Sequence, residues 1–398
     1  MAVIIPKTTK QWTVQGFEGP SSLKYTEVPI SPLGDNEVLI QSKSSHYMVQ
    51  RWNITANNQL TRLFLYHLVH GASLNPRDLL ITRGEYPWPV RAGIIPGSDG
   101  AGIVLATGPS VTRFKAGDRV VTMLNQKHIS GSLTTETATN YGTGASLDGT
   151  FREVGAFDED ALVAMPGNLG FVEASTLSCA GVTAWNALFG GARPIGQFGE
   201  AKGERKGKWV LTQGTGAVSL FALQFAKSSG AHVIATTGSD SKIPLLKTLG
   251  VDHVLNYHTT PHWGAAAKKL TPGGVGVDLV IEVAGPTTLR QSAEALKLDG
   301  QISVVGFIGG NPDPVEEGGG NKPAVPSVLE TWLNLYTARG IWVGSQEQME
   351  EMCRAVEENA IRPVLDERAF GLEELREAYE YLEQGGNMGK IGIEIWHE

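Results

Sequence analysis

The sequence predicts an α/β protein of two domains, a strand-rich β-domain and a doubly wound parallel sheet flanked by helices. Three observations carry that prediction. Residues 23–165 read as short strands broken by turn residues, with 37–41, 102–106 and 118–123 as examples and Gly-Asp and Pro-Gly pairs between them. From about Val172 helical stretches alternate with apolar, β-branched runs: Trp209-Val-Leu-Thr, His232-Val-Ile-Ala, Leu279-Val-Ile-Glu and Ile302-Ser-Val-Val. Such alternation indicates parallel strands with helices on both faces, because each parallel pairing needs a long crossover. After about Ser345 come two charged helical segments, 347–359 and 372–384, and a last strand at 391–396. That tail is expected to complete the N-terminal β-domain, which sets domain limits of 1–165 with 346–398, and 166–345.

At 398 residues the chain exceeds what one ordinary core organises, in keeping with two domains. Hydrophobic residues at 41% and charged residues at 19% describe a globular chain rather than a disordered one. The net charge of −8 is spread along the chain, with no basic cluster suited to nucleic acid and no basic amphipathic helix suited to a membrane surface. Neither kind of partner is expected. Only Cys179 and Cys353 occur, so no disulfide framework is implied and a reducing compartment is expected. The opening residues MAVIIPKTTKQW hold too short an apolar run for a signal peptide, and no bilayer-spanning apolar stretch follows. A cytoplasmic location is the expectation.

Two segments break the pattern. Residues 311–326, rich in Gly, Pro and Glu, are expected as a surface loop. Residues 42–68 form an unusual insert: without them 37–41 runs directly into Val69-His-Gly-Ala-Ser-Leu-Asn75 as one strand. They interrupt it with a Trp, a Phe and two Tyr, over more residues than a typical connection. Three readings stay open: an ordered lid beside an active site, a loose excursion, or translated sequence from a retained intron.

Residues 208–237 are the most informative stretch. Trp209-Val-Leu-Thr-Gln reads as a strand, Gly214-Thr215-Gly216-Ala217-Val218-Ser219 as a turn, and 218–229 as a helix with Val218, Phe221, Ala222 and Phe225 on one apolar face. Gly230 supplies a left-handed stop before the next strand. In this strand–turn–helix–strand context the glycines have distinct tasks. Gly214 permits the tight turn, and Gly216 lets backbone N–H groups approach a pyrophosphate seated on the helix N-terminus. Ser219 replaces the usual third glycine and is small enough for close helix–strand packing.

The end of the second strand selects the cofactor. A site for NAD usually carries Asp or Glu there to hold the ribose hydroxyls. Here the chain reads Thr236-Thr-Gly-Ser-Asp-Ser-Lys242, small polar residues followed by a lysine. A 2′-phosphate needs space, donors and positive charge, so NADPH fits better. Asp240 is the counter-argument, with two roles open to it: capping the next helix or meeting ribose.

Further segments become recognisable: Ala72-Ser-Leu-Asn-Pro-Arg-Asp78, Pro96-Gly-Ser-Asp-Gly-Ala-Gly102, Lys115-Ala-Gly-Asp-Arg-Val120, Cys179-Ala-Gly-Val-Thr-Ala-Trp185, Leu249-Gly-Val-Asp-His-Val-Leu-Asn-Tyr257 and Asn387-Met-Gly-Lys-Ile391. Taken with the Gly214 turn and in this order, the chain resembles the medium-chain dehydrogenase/reductase superfamily, in particular its zinc-free, quinone-oxidoreductase-like branch. The resemblance implies a GroES-like β-domain and a Rossmann domain with the active site in the cleft. In zinc-using relatives a cysteine stands where Asn75 is, and a His-Glu pair where Ser98-Asp99 is. Cys179 falls where a third ligand often lies. One thiol with Asn and Ser partners does not make a tetrahedral zinc site of the usual ligand types. Residues 123–151 also lack the cysteines of a structural zinc lobe. No catalytic zinc is expected, and Cys179 then reads as a small buried hydrophobe.

Without a Lewis acid a plain ketone or alcohol is poorly activated, whereas a quinone or α,β-unsaturated carbonyl accepts hydride with hydrogen-bond support alone. The expected function is therefore NADPH-dependent reduction of such a small-molecule substrate. The alternatives are an NADPH-binding protein without significant catalysis, or a chain impaired by 42–68. The resemblance implies that Asn75 and Tyr86 line the substrate site, Asn75 orienting substrate or nicotinamide ribose and Tyr86 donating a hydrogen bond or proton. Local readings compete, since Asn75 before Pro76 suits a turn and Tyr86 before Pro87 suits packing. The resemblance further implies Thr183 near the pyrophosphate, and Ser239, Lys242 and Tyr257 around the 2′-phosphate. Backbone at Gly306, Phe307 and Ile308 is implied to hold the nicotinamide amide, and Lys390 to reach a cofactor phosphate. Relatives often form homodimers through edge strands of the cofactor domain, near 338–344 here.

Overall fold

The computed structural model describes residues 7–31, 35, 37–41, 68–191, 207–306 and 328–395. The chain divides into two compact units, Met1–Cys179 with Ser345–Glu398, and Ala180–Gly344. The strands, in chain order, begin with β1 (Thr8–Val14), β2 (Leu23–Pro29), β3 (Glu37–Gln41), β4 (Leu68–Ser73), β5 (Asp99–Thr107), β6 (Arg119–Thr122), β7 (Val154–Asp158) and β8 (Leu162–Ala164) in the first unit. The second unit contributes β9 (Trp209–Gln213), β10 (His232–Thr237), β11 (His253–Asn256), β12 (Val277–Glu282), β13 (Leu296–Val304) and β14 (Thr337–Gly340). The chain then returns to the first unit with β15 (Phe370–Gly371) and β16 (Gly392–Glu394), the latter shorter than the predicted 391–396.

In the first unit β1 and β2 pair as an antiparallel ribbon, and the others form a sheet in the order β15-β16-β4-β7-β3-β5-β6-β8, with β4 also pairing β5. Its core brings Trp12, Leu23, Ile81 and Phe151 together with Tyr379 and Ile393 from the C-terminal tail. The Trp12 indole N–H donates to the carbonyl of Leu372 at 2.7 Å, so even the polar edge of that buried ring is satisfied.

The register around β3 and β4 is unusual. On β5, Ile40 pairs with Val104 and Leu68 pairs with the next residue, Ile103. On β7, Gln41 and Leu68 both pair with Val154. β3 and β4 are thus two halves of a single strand, and Leu68 re-enters at the register position Gln41 leaves. The alternation of side chains along a strand makes such continuity demanding, because a slip of one residue would turn every following side chain to the other face. Apart from Leu68, the insert 42–68 and the predicted loop 311–326 lie outside the described residues.

In the second unit the strands are parallel in the order β11-β10-β9-β12-β13-β14. By chain rank this is third, second, first, fourth, fifth, sixth, the doubly wound arrangement. Strand order reverses between β9 and β12, and every residue of both strands is buried, as a central strand covered on two faces requires. The helix Ala217–Ser228 after β9 buries Leu220, Phe221, Ala222, Leu223 and Phe225, and Gly230 at φ +89° ends it in the left-handed region. Among the described residues, no helix is long and apolar enough to cross a membrane.

The shared register predicts that deleting 42–68 joins Gln41 to Val69 without displacing a hydrogen bond of the sheet. The deletion variant is expected to fold with a melting temperature equal to or above that of the full chain. A lower value measured by calorimetry would contradict the continuity of β3 and β4.

Candidate active site

The first cluster is built where β4 ends. Pro76 occupies the first position of the helix Pro76–Thr82, where its missing N–H costs nothing. Asp78, in that first turn, accepts the backbone N–H of Asn75 at 2.8 Å. The Asn75 side chain is not spent on the helix. Its Nδ2 donates to Ser98 Oγ at 3.3 Å, and its Oδ1 accepts from Lys390 Nζ at 2.9 Å. The Lys390 ammonium also donates to the carbonyl of Leu74 and to Asp99 Oδ2, both at 2.7 Å. Asp99 further accepts from Ser73 Oγ at 2.8 Å and Ser98 Oγ at 3.1 Å. Ser73, Ser98 and Asp99 are fully buried, and Lys390 is 2% exposed.

A second cation lies on the same helix. Arg77 donates through Nε to the Tyr86 hydroxyl at 3.3 Å, and its guanidinium carbon sits 4.9 Å from the centre of that ring. Its Nη1 approaches Asp78 Oδ1 at 3.5 Å, while Nη2 is buried with no hydrogen-bond partner. Burial works against the Arg77 charge, but Tyr86 and Asp78 outweigh it and raise the guanidinium pKa. The phenol oxygen accepts from Arg77, which leaves the Tyr86 proton free to be donated. Burial pushes the Asp78 carboxyl up to about 6, against the pull of Arg77 and the Asn75 N–H. Burial, reinforced by Asp99, likewise pushes the Cys179 thiol up to about 12, so it stays protonated although partly exposed.

These groups do not suit zinc. A divalent ion needs deprotonated thiolate, imidazole or carboxylate ligands. Asn75 and Ser98 offer a neutral carboxamide and hydroxyl, which leaves Cys179 as a single thiol. The two carboxylates in the cluster are already taken, Asp99 by the Lys390 ammonium at 2.7 Å and Asp78 by the Asn75 N–H and Arg77. Among the described residues no group of three His, Cys, Asp or Glu side chains is placed to hold a metal ion.

The second cluster lies in the other unit, at the carboxyl ends of β9 and β12. Gly214 takes φ +69°, a conformation that favours glycine, and Gly216 caps the helix Ala217–Ser228. A Cβ at either glycine would meet nothing within 4 Å, so the turn presents open space beside a helix N-terminus. Thr215, Ala217 and Val218 complete it. Ser219 Oγ donates to the carbonyl of Gln213 at 2.6 Å, fixing the helix to the strand end. That arrangement fits a dinucleotide pyrophosphate, whose charge the N–H groups of a helix start receive. Sequence reasoning missed what lies beneath. The fully buried Glu282, at the end of β12, accepts from Gln213 Nε2 at 2.7 Å, from Ser292 Oγ, from the N–H groups of Ala284 and Gly285, and from Thr288 Oγ1. Gln213 Oε1 in turn accepts the Val283 N–H at 3.1 Å. The only hint in the sequence was an acidic residue closing the apolar run Leu279-Val280-Ile281.

At the ends of β10 and β11, Ser239, Lys242 and Tyr257 come from adjacent turns. The Tyr257 hydroxyl covers Gly238 so closely that a Cβ there would lie 2.3 Å away. Ser239 Oγ is 2.8 Å from Ser241 Oγ. Lys242 has no ion pair among the described residues. Asp240 Oδ1 accepts from Asn256 Nδ2 at 2.7 Å. Thr183 is buried in the first turn of the helix Val182–Phe189. Gly306 follows β13, where the N–H of Val305 donates to the carbonyl of Glu282 at 2.8 Å. Phe307 and Ile308 lie outside the described residues. One expectation is corrected: all three protons of the Lys390 ammonium are used within the first unit, which leaves none for a cofactor phosphate.

Comparison with known proteins gives a consistent picture. Residues 68–167 match the family model of the alcohol dehydrogenase GroES-like domain, and residues 217–358 that of zinc-binding dehydrogenase, a family whose members bind nicotinamide dinucleotides. A zinc-type alcohol dehydrogenase-like protein of Schizosaccharomyces pombe is 42% identical over 325 residues, covering 81% of this chain and 88% of that one. A chloroplastic quinone-oxidoreductase of Triphysaria versicolor is 29% identical, covering 94% and 95% respectively. The crystal structure of an NAD-dependent alcohol dehydrogenase, 26% identical, superposes with a TM-score of 0.75 over 97% of this chain and 99% of that one.

The raised Asp78 carboxyl makes a stability prediction. Its folded pKa, about 6, exceeds the ordinary 3.8, so the folded state holds the proton more tightly. The resulting stabilisation is fully present below about pH 4 and is lost as pH rises through about 6. Relative to Asp78→Asn, the wild-type chain is expected to lose about 3 kcal/mol across that window, read from urea unfolding at a series of pH values. Parallel stability curves would remove Asp78 as the cause.

Proposed function

Given that the chain belongs to the medium-chain dehydrogenase/reductase superfamily and is an oxidoreductase of the alcohol dehydrogenase and quinone oxidoreductase kind, we propose that it reduces quinones or α,β-unsaturated carbonyl compounds with NADPH and without a metal. The observation that carries the metal-free reading is the Lys390 ammonium, 2.7 Å from Asp99 among groups that hold their protons. When bound, the dinucleotide supplies the hydride. The chain's own residues do the rest. The Gly214–Val218 turn receives the pyrophosphate on the helix N-terminus, while Ser239, Lys242 and Tyr257 offer hydroxyls and an unpaired ammonium for a 2′-phosphate. Asn75 donates an N–H to the substrate oxygen, which gains negative charge as hydride arrives at carbon. Tyr86, whose oxygen accepts from Arg77 Nε, stands nearby with its hydroxyl proton unspent. Unpaired Cys179 and Cys353 fit a reducing, cytoplasmic setting.

The test is to mix the chain with NADPH and a panel of small quinones and enones and follow the absorbance of reduced nicotinamide. Turnover of at least one class is expected, with NADPH preferred over NADH. Binding without turnover on any member would replace this reading with that of a dinucleotide-binding protein. In the same experiment Lys242→Glu is expected to weaken NADPH binding tenfold or more and leave NADH unaffected. Equal NADPH affinity would remove Lys242 from the site.

We also propose a homodimer through β14. Among the described strands β14 pairs only with β13, and an unpaired edge is a template for another chain. Beside it the helix Leu329–Leu333 exposes Leu329, Trp332 and Leu333 at 59%, 69% and 62%. Sedimentation is expected to give twice the chain mass for wild type and a monomer for Trp332→Glu; a monomeric wild type would end this proposal.

A further inference from the structure

The hydrogen bonds around Asn75 form a closed ring whose directions are all determined. An ammonium only donates, so the Asn75 atom 2.9 Å from Lys390 Nζ has to be the carboxamide oxygen. The nitrogen therefore faces Ser98, at 3.3 Å. Ser98 Oγ gives its single proton to Asp99 Oδ1 at 3.1 Å, so toward Asn75 it acts as the acceptor. Asp99 closes the ring by accepting from Lys390 at 2.7 Å. Every member is at most 4% exposed. In so dry a setting each bond polarises the next.

We infer that Lys390 is a positioning residue: it locks the Asn75 carboxamide so that its remaining N–H is a fixed donor for the carbonyl oxygen of the substrate, an inference that rests on the reductase reading above. A carboxamide free to rotate presents either an acceptor or a donor. Pinned by the ammonium, this one presents only a donor, and it can discriminate for an acceptor oxygen against a hydroxyl that needs to give its proton. The ammonium also draws charge from Oδ1, which strengthens the N–H as a donor to an oxygen becoming an anion. The polarising role that a metal plays in zinc-using relatives is here carried out through Asn75, with Lys390 one bond behind it.

The test is a double-mutant cycle on the full chain with NADPH and whichever quinone or enone it reduces best. Asn75→Ala is expected to lower kcat about 100-fold, the usual scale for removing one donor to a developing anion. Lys390→Met is expected to lower kcat at least tenfold and Lys390→Arg to recover part of it. The pair together should be no slower than Asn75→Ala alone, because Lys390 acts through Asn75. NADPH affinity should stay within twofold throughout. Additive losses would overturn the inference, as would a tenfold loss of NADPH affinity, which would assign Asn75 to the cofactor ribose. Should Lys390→Met fail to fold, Lys390→Met with Asp99→Asn removes the stranded carboxylate and takes its place in the cycle. Asn75→Asp keeps an oxygen toward Lys390 but has no N–H, and is expected to lose as much kcat as Asn75→Ala; full activity would overturn the inference. If the wild type reduces nothing, the reductase reading falls by itself. The orientation is then read from a crystal structure of Lys390→Met, where a rotated carboxamide supports the inference and an unmoved one overturns it.

Discussion

Lys390 lies in the interior with its charge answered by one carboxylate and two carbonyl-type oxygens, and the geometry of the first cluster follows from that match. A buried ammonium without partners would cost far more than the fold can supply, and removing one partner of such a pair typically costs about 3–5 kcal/mol. Two of the oxygens come from Leu74 and Asn75, just past β4, and the third from the start of β5, while the lysine comes from the C-terminal tail. The ion pair therefore specifies where three stretches of chain meet. Apolar contacts such as those of Ile81 and Tyr379 hold the same region together, but they are non-directional. Only the polar ring determines which way a carboxamide points.

The second unit applies the same logic with the opposite sign of charge. Glu282 is fully buried and receives five donors from β9, from the turn after β12 and from the helix Leu289–Ala295 with the residue before it. Gln213, the residue just before Gly214, links it to the glycine turn. The reversal of strand order opens a crevice between β9 and β12, and ligands in such sheets bind outside the strand ends there. A buried carboxylate that spans the reversal keeps the two turns bordering that crevice in a fixed relation.

The strands, the glycine turn and the fold class were legible because their signals are local. The glycine turn spans a few residues, each with a conformational reason to be there: Gly214 for its positive φ, Gly216 for a helix start. The order of strands could be anticipated because parallel pairing with helical crossovers leaves few topologies. The roles of Asn75 and Tyr86 came from resemblance, and their local readings stand beside them: Asn75 caps the helix Pro76–Thr82 and Tyr86 packs against the core. Lys390 was assigned to a cofactor phosphate by resemblance, and nothing within its own segment announces a partner 291 residues away. Arg77 was likewise invisible as a site residue, since its position over Tyr86 depends on how the chain leaves the helix that carries it. Asp240 looked like a choice between helix and ribose, and the structure adds a partner that its own segment does not show, Asn256 on β11.

The coincidence of Gln41 and Leu68 opposite Val154 has a practical corollary. A chain that departs from and rejoins a ladder at one rung places the two ends of any graft side by side, as the termini of many small domains already are. Lengthening such an excursion adds closure entropy only logarithmically. The junction is thus a natural socket for a fluorescent or affinity module that leaves the hydrogen-bond pattern of the sheet as it is.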